Sequence, residues 1–82
     1  MALTGSRQIT AARALLGWDQ AALAEAAGVH VNTVQRIEGG EPGGPIPGRA
    51  ASVDSVRRAL EAAGIEFTNG DAPGVRLRSR DQ

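Results

Sequence analysis

Apolar positions recur at spacings of three and four through the first two thirds of the chain, then switch to a spacing of two. Ile9, Ala12 and Leu16 share a face with Arg13, which predicts a helix over about 6–16, its start capped by Thr4 or Ser6. Leu23, Ala24 and Ala27 predict a second helix over 20–27 behind the capping Asp19. Val34 and Ile37 predict a third over 31–38, with His30 at its N-cap and a polar outer face. Val53, Val56, Leu60 and Ala63 predict a fourth over 53–63, capped by Ser52. Gly17, Gly28, Gly39 and Gly64 follow the four segments as expected C-terminal stops, because glycine takes the left-handed conformation without steric cost.

Between the third and fourth helices, GGEPGGPIPG is too rich in glycine and proline for a helix or a central strand. Residues 39–51 are therefore read as a flexible connector. Beyond Gly64, Ile65 and Phe67 alternate with Glu66 and Thr68, and Val75 and Leu77 with Arg76 and Arg78. With NGDAPG between them, these runs predict a β-hairpin over 65–78 and leave 79–82 as a frayed tail. The expected organisation is a mainly α unit, residues 1–64, followed by the hairpin.

Composition narrows the function. The chain has 82 residues, 41% of them apolar, which allows one small domain. It has no cysteine, no lysine and one histidine, so a zinc finger, a Schiff base and a P-loop lysine are all excluded. The glycine-rich stretch also lacks the strand and the Ser/Thr of a phosphate-binding loop. Nothing in the sequence brings Ser, Asp and His30 together, so we expect no enzyme, no cofactor and no metal. No apolar run approaches the roughly 18 residues of a membrane span, and no leader pattern is visible, which leads to the expectation of a cytoplasmic protein. Arginines and acids balance to a net charge of zero, which weighs against nucleic acid unless the charges are sorted onto different faces.

The second and third segments supply what a tight helix pair needs. Ala24 is small where the helices cross, Gly28 lies in the turn, and Leu23, Ala27, Val29, Val34 and Ile37 are apolar where the helices face each other. The run RALLGWDQAALAEAAGVHVNTVQRIEGG resembles the XRE, or lambda-repressor-like, helix-turn-helix family, over about residues 6–64. The resemblance implies a four-helix DNA-binding domain with an ion pair between Arg13 and Glu38. It places Val31, Asn32, Gln35 and Arg36 toward bases in the major groove, and Gln20, His30 and Thr33 toward phosphates. Trp18 reads as core.

The function expected on this basis is a sequence-specific bacterial transcriptional regulator. It would act as a repressor, a homodimer on double-stranded DNA and part of the nucleoid. The alternative is a protein-interaction module of the same fold, antitoxin-like or co-regulatory. Because a lone hairpin is marginal and its open edges invite another strand, Ile65, Phe67, Val75 and Leu77 are the expected dimer interface. The competing arrangement folds the hairpin back on helix 4 of its own chain.

Overall fold

Two left-handed glycines shape the first half of the molecule. Gly17 (φ 72°) and Gly28 (φ 73°) turn their N–H groups back onto the last carbonyls of the preceding helices, and Trp18 and Val29 add the second bond of each closure. The computed structural model describes residues 3–68 and 72–78; the expected frayed tail and Asn69, Gly70 and Asp71 of the hairpin turn lie outside them. The elements are α1 (Ser6–Leu16), α2 (Gln20–Ala27), α3 (Val31–Glu38), α4 (Ala50–Ala62), β1 (Ile65–Thr68) and β2 (Gly74–Leu77). Four helices and a two-stranded antiparallel hairpin make the fold mainly helical.

Several boundaries differ from expectation, each for a local reason. The first helix is capped by neither Thr4 nor Ser6. Gly5 takes the cap position, and the Gln8 side chain reaches back so that its Oε1 accepts the backbone N–H groups of Gly5 (3.0 Å) and Thr4 (2.8 Å). Ser6 is buried and spends its hydroxyl on the carbonyl of Ile37 at 2.6 Å, tying the start of α1 to the end of α3. The fourth helix begins at Ala50, not 53, with Arg49 as its cap. Ala50 and Ala51 are strong helix formers, so the helix extends back to them, and Ser52 falls inside its first turn. Gly39 is not left-handed (φ −86°), and α4 is capped by Ala63, with Gly64 (φ 108°) one residue beyond.

The glycine- and proline-rich segment is seated on the core instead of hanging as a flexible connector. Ile46 packs against the buried cluster, Glu41 and Gly44 close a turn (2.9 Å), and Gly40 lies so close to Ser6, Pro45 and Pro47 that a Cβ there would collide with all three. The core consists of Leu3, Ile9, Ala12, Leu23, Ala24, Val34, Ile37, Val56, Leu60 and Ile65, with Trp18 half-buried against it.

The hairpin pairs Ile65 with Leu77 and Phe67 with Val75, so all four apolar side chains share one face. That face is turned onto its own chain: β1 packs on α4 and β2 on α1. Ile65 is 1% exposed, Phe67 and Val75 are half-buried against the core, and Leu77 remains exposed at 37%. Gln8 clamps the arrangement, its Nε2 donating to the carbonyls of Thr68 (3.2 Å) and Gly74 (3.0 Å). Of the four residues expected at a dimer interface, Ile65 is buried within its own chain, while Phe67, Val75 and Leu77 keep exposed surface; the hairpin folds back on its own chain.

Candidate nucleic-acid interface

Helix α3 presents two faces because its apolar residues are three apart. Val34 and Ile37 are wholly buried, which turns Asn32, Gln35 and Arg36 outward. Thr33 and Val31 are half-buried, and Val31 leans on the core, so only part of its side chain is left for a ligand. His30 is exposed and its Nδ1 accepts the N–H of Asn32 at 3.0 Å, which makes it the cap of α3. Its other ring nitrogen is the one that an outside partner can meet.

The start of α4 meets α3 across a polar groove lined by Asn32, Thr33, Arg36, Gly48, Arg49 and Ser52. Arg49 and Ser52 are the members that sequence reasoning missed as a pair. The available signal was Ala50–Ala51 directly after Arg49, which starts the helix early enough to bring both residues to the groove.

Charge sorting gives that groove its character. Arg13 is paired with Glu38, Arg57 with Asp54 and Glu61, Arg58 with Asp54, and both Arg76 and Arg78 with Glu66. Among the described residues, the arginines that make no ion pair with another described residue are Arg7, Arg36 and Arg49. Two of these line the groove. A net charge of zero thus conceals a local cationic site, since Glu38, Asp54, Glu61 and Glu66 are matched to arginines elsewhere.

Behind this surface, Glu38 gathers three helices. Its Oε2 accepts Arg13 Nε at 2.6 Å, and its Oε1 accepts Arg13 Nη2 at 2.9 Å, Gln20 Nε2 at 3.1 Å and Thr10 Oγ1 at 3.1 Å. The two charged side chains are only 17% and 6% exposed, and Arg13 Nη1 also donates to the carbonyl of Trp18 at 3.0 Å. Burial by itself would raise the carboxyl pKa of Glu38. The hydrogen bonds from Arg13, Gln20 and Thr10, with the charge of Arg13, outweigh it and hold the group below its ordinary value. For Arg13, the hydrogen bond to Glu38 raises the pKa.

Gln20, the first residue of α2, is therefore half-buried and anchored through its amide nitrogen. Beside it the Asp19 carboxylate caps the helix by accepting the N–H of Ala22 at 2.8 Å. That end of α2 already holds an anion of its own.

No group of residues able to hold a metal ion occurs among the described residues, and no described helix is long and apolar enough to cross a membrane. Comparison with known families matches residues 9–43 to the one described as helix-turn-helix; the match runs from α1 through α3 into the following loop. No curated protein matches the chain.

Proposed function

We propose that the chain is a sequence-specific transcriptional repressor of the XRE or lambda-repressor-like kind, a reading supported by the match of residues 9–43 to the helix-turn-helix family. The observation that carries this reading is the groove in which Arg36 and Arg49, free of ion pairs among the described residues, flank Asn32, Thr33 and Ser52. In the docked state α3 enters the major groove. Arg36 offers the two parallel donors that match guanine O6 and N7, while Gln35 and Asn32 have the paired donor and acceptor that match adenine. Arg49, Ser52, Thr33 and His30 face the phosphates alongside.

At the other end of the motif, Gln20 is the phosphate donor. Asp19 occupies an amide of the α2 start and places negative charge there, so the neutral Gln20 side chain takes the role that bare backbone N–H groups fill at other helix starts. Repression follows from occupancy, since a protein seated in the major groove excludes other proteins from the same DNA.

Two copies on a palindromic site would set their α3 helices about 34 Å apart. The hairpin face being spent within the chain, the dimer contact is left to the open strand edges and the exposed Leu77. Selection of bound duplexes from a random pool tests the whole reading. The expected result is a recovered two-fold symmetric site whose affinity falls steeply with salt. Recovery of unenriched sequence, or binding indifferent to salt, would overturn it.

A further inference from the structure

The Glu38 carboxylate does more than close an ion pair: it also holds the amide of Gln20, a side chain at the edge of the proposed interface. Glu38 lies at the end of α3 and Gln20 at the start of α2, 18 positions apart in the chain, and the bond between them links the recognition helix to the helix before it. A glutamine side chain has three rotatable torsions, and an exposed one spreads its amide over many orientations. A phosphate contact from such a group costs the entropy of fixing it. Here that cost is met in the free protein. One N–H of Gln20 is directed into a carboxylate that is 6% exposed, and the carboxylate is itself locked by two bonds from Arg13 and one from Thr10.

The charge arrangement matters as much as the geometry. Arg13 compensates the charge of Glu38, so the carboxylate that holds Gln20 is itself paired. The bond to Glu38 fixes the plane of the Gln20 amide and leaves its second N–H uncommitted to that carboxylate. We infer that Glu38 is a positioning residue for DNA binding, orienting the Gln20 amide toward a backbone phosphate while touching no DNA itself. This inference rests on the phosphate contact assigned to Gln20 above.

A double-mutant cycle on the selected duplex tests it, using wild type, Gln20→Ala, Glu38→Gln and the double variant, each confirmed folded by thermal melting at the binding temperature. Gln20→Ala should weaken binding about tenfold, the size of one hydrogen bond to a charged group. The slope of affinity against salt should be unchanged, because a neutral donor releases no counterion. Glu38→Gln should weaken binding when Gln20 is present and have no further effect when Ala stands at position 20. A purely structural Glu38 would weaken binding equally in both backgrounds, and that result overturns the inference while leaving the DNA contact intact. If Gln20→Ala binds like wild type, the phosphate contact and the inference both fail, and Arg36→Ala in the same assay then reports independently on whether α3 lies at the DNA.

A measurement on the free wild-type protein needs no variant to fold. The side-chain amide protons of Gln20 should shift in NMR spectra as the Glu38 carboxyl titrates. Amide signals that ignore that titration would overturn the inference.

Discussion

Arg36 and Gln35 sit opposite the buried Val34 and Ile37, so their replacement should alter binding and leave folding alone. Arg36→Ala is expected to cost about 1–3 kcal/mol on the preferred site and to relax selectivity at one base pair, read by competition binding against single-base variants. Unchanged selectivity would remove α3 from the major groove. Glu38 behaves in the opposite way. Its loss strands Arg13, a cation 17% exposed, and Glu38→Ala should lower stability by about 3 kcal/mol in denaturant melts. The carboxyl pKa is lower in the folded chain than in the unfolded one, so this stabilisation is fully present above the unfolded value and fades as pH falls through the folded value. The difference in stability between wild type and Glu38→Gln should therefore shrink on acidification. A difference independent of pH in that range would contradict the paired geometry.

Among the elements, the connector between α3 and α4 behaves as a packed segment. A Cβ on Gly40 would lie 2.5 Å from Ser6 Oγ, 2.8 Å from Pro47 Cδ and 3.0 Å from the Pro45 carbonyl oxygen. Gly40→Ala should destabilise by about 1–3 kcal/mol as the overpacked loop lifts from Ser6, a far larger effect than alanine at an unstructured linker glycine. Equal melting temperatures for variant and wild type would show that the loop is free. The start of α4 carries a separable effect. Arg49→Ala should reduce affinity on all sequences alike and lower the salt slope by about one, whereas a base contact would change selectivity instead.

For the molecule as a whole, the hairpin is the third side of the core. Ile65 lies among Val56, Leu60 and Ile9 in the same buried cluster, and Gln8 is bonded to both strands. Cutting the chain after Gly64 removes Ile65 and half-covers of the core such as Phe67 and Val75, so the truncated chain should melt well below the full one. If the strand edges also join two chains, the same cut should convert a sedimenting dimer to a monomer with weaker affinity for the full palindrome. A truncated chain that melts like the intact one would show the hairpin to be an appendage.

The first three helices, the inner and outer faces of α3 and the alternation of the two strands were readable from the residues, because each depends on neighbours within about four positions. A period of three to four buries Val34 and Ile37 together, and glycines at 17 and 28 accept a backbone conformation that their neighbours resist. The start of α4 was misplaced because a serine that suits a cap competed locally with two alanines that favour the helix interior; both alanines are exposed, and their helix propensity prevailed.

The partners of polar side chains were beyond such reading. Gln8 is an unremarkable helical glutamine in sequence, yet it bonds carbonyls 60 and 66 positions away. The meeting of Arg49 with Arg36, the bond from Gln20 to Glu38 and the turning of Ile65 inward all join segments distant along the chain. Each depends on how the helices and hairpin come to rest against one another. Periodicity tells which side of an element is apolar, but only the packed molecule determines what that side is buried against and which charges remain unpaired.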